Sequence, residues 1–129
     1  MREILFRGKD FSGVINHRWC FGSLDTTEDD RAIIIYPDRF GNRCQIFVNP
    51  ETVGQYTGLK DKNGTKIFEG DIVLLKGYDE PYQVVFDESC FRAYSDSVRY
   101  AMDNFYDYEI EVIGNIYDNP ELLEGDNNG

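Results

Sequence analysis

Short apolar runs rich in Val, Ile, Phe and Tyr recur along the chain, separated by clusters of Gly, Pro, Asp and Asn. No stripe of period 3.6 extends far enough to make a long helix, so the pattern predicts a mainly β fold. In the N-terminal half, Glu3 to Arg7, Val14 to Phe21, Ala32 to Tyr36 and Arg43 to Val48 have strand composition. Asp71 to Lys76 is apolar on both alternating faces, which predicts a strand covered on two sides. Gln83 to Phe86, Ser89 to Tyr94 and Ser97 to Ala101 follow with the rhythm of a meander. Glu109-Ile110-Glu111-Val112 alternates, two carboxylates toward water and two aliphatics inward, and continues to Tyr117 across Gly114, a bulge or close approach.

The strongest turn signal is Asn63-Gly64, which predicts a two-residue hairpin with positive φ at both positions. That register sets Asp61 opposite Lys66 and Leu59 opposite Phe68, with the tip in solvent. Helix signals are weak: Asp25 to Asp30 is an acidic loop, Met102 to Tyr108 offers one turn, and Asn119-Pro120-Glu121-Leu122-Leu123 predicts a capped short helix. The expected architecture is a small single domain over residues 1–124, of short antiparallel strands in a twisted or barrel-like arrangement. Gly70 to Tyr117 forms an SH3-like half, and residues 125–129 a frayed tail.

Charge narrows the partners. With 24 acidic against 13 basic side chains, the net charge of −11 repels phosphate backbones and anionic lipid, and Lys and Arg are not gathered in sequence. Direct nucleic-acid or membrane binding is not expected. Nine Tyr, nine Phe and one Trp supply large apolar areas that a folded core must bury, so the acidity does not signal disorder. The first residues are interrupted by charge and resemble neither a signal peptide nor a membrane span, which makes the cytoplasm the expected location. Cys20, Cys44 and Cys90, odd in number and far apart, suit reduced thiols.

At Glu51 to Gly64 (ETVGQYTGLKDKNG) and Lys66 to Val73 (KIFEGDIV), the chain resembles the YopX family of small phage and prophage proteins. Two flanking stretches extend the resemblance: Glu111 to Leu123 (EVIGNIYDNPELL) and Ile4 to Asp10 (ILFRGKD). The opening stretch departs from the family at Gly8 and Lys9, where a small residue followed by an aromatic is usual. The resemblance implies a phage or prophage source, a bacterial cytoplasm and assembly into homo-oligomers. It carries over no activity and no catalytic or binding residue.

Candidate chemistry is sparse. His17 and Cys20 have a spacing that could give zinc two ligands, but no Cys-x-x-Cys pair completes the set. As a nucleophile and base on one strand, the same two residues would face opposite sides. Glu69 with Asp71, Asp87 with Glu88, and Glu109 with Glu111 are carboxylate pairs that strand alternation and turns explain as solvated positions. No catalytic, cofactor-binding or metal-binding residue is therefore expected, nor a cofactor. Aromatics are in surplus: Tyr36, Phe40, Phe47, Tyr56, Tyr78, Tyr82, Tyr94, Tyr100, Phe105, Tyr106 and Tyr108 exceed what a core of this size easily hides, and Tyr favours interfaces.

The expected function is non-enzymatic: an accessory protein acting by self-assembly or by binding a host or phage protein. Four prolines and the apolar run Ile33-Ile34-Ile35 leave edge strands poorly blunted, which favours a homo-oligomer. One alternative is an acidic decoy that mimics DNA and occupies a host DNA-binding protein. Another is a hydrolase with an unfamiliar site.

Overall fold

The computed structural model describes residues 3–11, 18–96 and 98–124. The expected tail at 125–129 lies outside them, as do the first four residues of the strand expected from Val14 and the start of that expected from Ser97. The chain gathers into two compact units, Met1–Tyr56 and Thr57–Gly129.

The first unit is an antiparallel sheet of β1 (Phe6–Lys9), β2 (Trp19–Thr26), β3 (Ala32–Pro37), β4 (Arg43–Val48) and the start of β5 (Gly54–Lys60), in the order β4-β3-β2-β1-β5. A bridge between Asp10 and Val48, with Phe11 N–H donating to Phe47 O at 3.0 Å, curls the end of β1 toward β4 without closing a barrel. Fully buried Ile34 centres the core with Ala32, Val48 and Cys20, and Phe6, Leu24, Tyr36, Ile46 and Val53 pack around it. Ile34 and Val48, almost wholly buried, each contribute about 1.5–3 kcal/mol through removal from water. Ile33-Ile34-Ile35 is not an exposed edge: β3 is paired on both sides, so this run gives no reason for association.

The second unit holds the rest of β5, then β6 (Lys66–Phe68), β7 (Asp71–Leu75), β8 (Tyr82–Asp87), β9 (Cys90–Tyr94), β10 (Arg99–Ala101), β11 (Ile110–Asn115) and the short helix α1 (Glu121–Glu124). Five of these strands form an open sheet, β10-β9-β8-β7-β11. The prediction that β7 is covered on both sides holds, since Ile72 and Val73 are fully buried and Leu75 nearly so. Ile67, Val73, Leu75, Tyr82, Val84, Phe91, Ala93, Met102 and Ile110 make its core. Met102 to Tyr108 folds as two short 3-10 turns, Met102–Asn104 and Asp107–Glu109. Gly114 shows both features expected of it: the β11–β7 register slips between Val112 and Gly114, and a Cβ there would lie 2.6 Å from Asn119 Oδ1.

The Asn63-Gly64 turn differs from its prediction by one residue. Asp61 N–H donates to Thr65 O at 2.9 Å and Gly64 N–H to Asp61 O at 3.0 Å, so the loop has three residues and only Gly64 has positive φ, at 81°. Asp61 thus faces Thr65, not Lys66. The physical reason is its side chain, which turns inward: Oδ1 accepts from the Asn63 and Thr65 amides at 2.9 Å each, and Oδ2 from the Val112 amide at 2.9 Å. The expected opposite-charge pair is replaced by a buried carboxylate that ties the turn to β11.

Candidate functional site

The His17–Cys20 combination weighed as a dyad or zinc pair cannot be built from the structure, because His17 lies outside the described residues. Cys20 is buried, its Sγ donates to the Arg18 carbonyl at 3.7 Å, and burial, with the nearby charge of Asp10, pushes its thiol up in pKa. A thiol held protonated is a poor nucleophile and a poor ligand. Cys44 and Cys90 are half-buried and reduced. Among the described residues no group of three or more His, Cys, Asp or Glu side chains is placed to hold a metal ion, and no helix is long and apolar enough to cross a membrane.

The carboxylate pairs are held by local structure. Asp71 is buried and its Oδ2 accepts from the Phe68 amide at 2.7 Å, closing the turn into β7. Asp87 and Glu88 form the β8–β9 turn, with Glu88 and Ser89 at φ of 50° and 70°. Asp87 also accepts from the Tyr94 hydroxyl, and that bond, ahead of burial, pushes the Tyr94 phenol up in pKa. Glu109 belongs to a 3-10 turn and not to the strand, where its Oε1 accepts from the Tyr106 amide at 2.9 Å, while Glu111 pairs with Lys62 at 3.3 Å. Asp71, expected to be solvated, is instead buried in the turn into β7.

The surplus aromatics divide into three groups. Tyr56 and Tyr82 are buried. Tyr82 packs edge-on to Tyr78 at 6.3 Å between ring centroids and lies 5.8 Å from Tyr100, which also touches Phe105 at 6.0 Å. Burial, and then the hydrogen bond from its hydroxyl to Glu80, pushes the Tyr82 phenol up to about 12. A third group faces solvent: Phe40 is 76% exposed, Tyr106 68% and Tyr108 61%. Tyr106 and Tyr108 stack on each other, centroids 5.5 Å apart and planes 6° from parallel. Exposed Phe11, Phe21 and Phe86 were absent from the surplus read in the sequence. Phe86 continues the inward alternation of Tyr82 and Val84 and packs against core Phe91 with ring centroids 4.9 Å apart, yet near the end of β8 it stays exposed.

Two clefts lie beside these aromatics in the second unit. One, of about 420 Å³, has Tyr78 and Tyr108 on its walls with Lys62 and Lys76, whose ammonium sits 5.7 Å from the Tyr108 ring. The other, of about 390 Å³, is walled by Pro81, Tyr94 and Leu123 and carries Glu80 and Asp96, with the Arg99 guanidinium 5.0 Å from the Tyr94 ring.

Phe40 is presented by a turn that backbone and side-chain hydrogen bonds hold together. It sits in the β3–β4 turn, where Asp38 N–H donates to Asn42 O at 2.9 Å and Gly41 N–H to Asp38 O at 3.0 Å. Asp38 Oδ1 accepts from the Phe40 and Asn42 amides at 2.8 Å each. The Asn42 amide foremost, and then that of Phe40, hold the Asp38 carboxyl below its ordinary pKa. The Arg39 guanidinium lies over the Phe40 ring at 5.1 Å, and Arg43 is exposed at the start of β4. Asp-Arg-Phe-Gly-Asn is itself a turn signature, so the exposure of this ring was readable from the sequence.

No curated protein matches the chain. A crystal structure of protein EF1440 from Enterococcus faecalis is similar to it with a TM-score of 0.61, covering 95% of this chain and 99% of that one at 22% identity, which establishes likeness of fold. The family model described as YopX protein matches residues 6–124, and the chain belongs to the YopX family.

Proposed function

We propose that this is a non-enzymatic accessory protein of a phage or prophage that works by binding protein, its own copies first. The observation that carries this reading is the placement of exposed aromatics on fixed backbone. Phe40 stands on a turn locked by Asp38, and Tyr106 and Tyr108 stack across a 3-10 turn held by Glu109. Rigid aromatic anchors lose little entropy on docking, which is why they dominate binding energy at interfaces. The carboxylates that chemistry would need are engaged in turns and caps, which further supports a binding role. Light scattering at micromolar concentration, in low and in moderate salt, tests it. A mass of more than one chain is expected, and a one-chain mass in both buffers would remove self-assembly.

A further inference from the structure

Three hairpin turns of this protein share one design, and only one of them carries an apolar side chain at its apex. In each, the first residue's N–H donates to the carbonyl four residues on, at 2.9 Å: Thr27 to Arg31, Asp38 to Asn42, Asp61 to Thr65. In each, a side-chain oxygen of the first residue accepts from the fifth residue's amide, at 3.0, 2.8 and 2.9 Å. The fourth residue, Asp30, Gly41 or Gly64, has positive φ. The third residue is Asp29, Phe40 or Asn63. Turn geometry does not require an aromatic at that position, since polar residues fill it in the other two. The turn itself does not account for Phe40, and with Arg39 and Arg43 the tip carries both an apolar ring and two cations.

The rest of the chain supplies a complement. Residues 1–56 carry seven Lys and Arg against eight Asp and Glu, a net of −1, whereas residues 57–129 carry six against sixteen, a net of −10. The negative charge is thus concentrated in the second unit. The cleft bearing Glu80 and Asp96 belongs to that unit, and its walls are Pro81, Tyr94 and Leu123. Glu80 is positioned by the Tyr82 and Ser95 hydroxyls, each at 3.1 Å from its Oε1. At about 390 Å³ the cleft stands at the small end of the roughly 300–1,000 Å³ range of binding sites, with room for a ring and a guanidinium.

Resting on the self-assembly reading above, we infer that the Arg39-Phe40-Arg43 tip of one copy docks in the Glu80–Asp96 cleft of a second copy. Phe40 fills the apolar walls, and the arginines meet the carboxylates. Such a contact is attractive although the copies repel overall, so association loosens as salt rises, the reverse of what repulsion between uniformly charged chains would give.

Sedimentation velocity on the full chain tests this with two variants at exposed positions, Phe40→Ser and Asp96→Lys, their folding checked by circular dichroism. Each variant alone is expected to associate at least tenfold more weakly than the parent. An equimolar mixture regains a one-to-one dimer, because Phe40→Ser keeps an intact cleft and Asp96→Lys an intact tip. A parent chain that is monomeric at micromolar concentration overturns both this contact and the self-assembly reading. An oligomeric parent unaffected by either variant, or variants that do not complement each other, overturns the contact alone. Phe40-dependent binding of duplex DNA or anionic vesicles by a monomeric parent overturns the second copy as the occupant.

Discussion

Asp61 shows how much one side chain can decide. Only 3% exposed, it would be costly as an uncompensated charge, but three backbone amides point at its oxygens. Burial alone would raise its pKa. The Val112, Thr65 and Asn63 amides, with the charge of Lys62, together outweigh burial and hold the carboxyl below its ordinary value. A depressed folded-state pKa means the stabilisation is present above the unfolded value, about 3.9, and is lost as pH falls through the folded one. Asp61→Asn keeps the size but turns an amide donor toward one of the three N–H groups, and is expected to cost about 2–3 kcal/mol near neutral pH. Urea denaturation at neutral pH and below pH 4 measures this. The gap from the parent should narrow in acid, and a gap constant with pH would show that the charge on Asp61 is not what the amides hold.

The strands were largely legible in the sequence, and the turns less so. β4 falls where composition placed it, and β7 and β8 within a residue at each end, because β-branched and aromatic runs bounded by breakers are a local signal. The β5–β6 turn was misread because Asn-Gly supports more than one hairpin type, and the choice fell to a hydrogen bond from Val112, far along the chain. The surplus of aromatics was legible, but not their division between core and surface, which depends on where each strand outruns its sheet. The shared turn design yields a prediction at this scale. Asp30 holds a φ of 64°, a conformation that Gly41 and Gly64 adopt without a Cβ clash in the sister turns. Asp30→Gly is expected to stabilise by about 0.5–1 kcal/mol, after allowing for the extra freedom glycine gives the unfolded chain. Thermal melting should register a rise of about 2–4 °C, and a fall would show that the Asp30 side chain earns its strained backbone.

Across the whole molecule, the uneven charge invites the decoy reading, since residues 57–129 hold sixteen of the 24 acids. A DNA mimic needs carboxylates that stand free in rows, so that a partner's Lys and Arg can replace their counterions as they do on phosphates. Here several of the acids are drawn into the protein's own structure. Asp61 and Asp71 point inward to backbone amides, and Glu109 closes a 3-10 turn. Glu111 is paired with Lys62, and Asp87 accepts from Tyr94 with Arg99 at 4.0 Å. What remains is a diffuse negative field, which salt screens beyond about 8 Å at physiological ionic strength. The protein is accordingly expected neither to bind duplex DNA nor to displace it from a general bacterial DNA-binding protein once salt is physiological. Fluorescence anisotropy of a labelled duplex on such a protein, titrated with this chain at low and physiological salt, measures both. Weak competition confined to low salt fits a screened field, whereas displacement that persists at physiological salt would mean that the exposed acids are arrayed for a DNA-binding groove and would put the decoy role first.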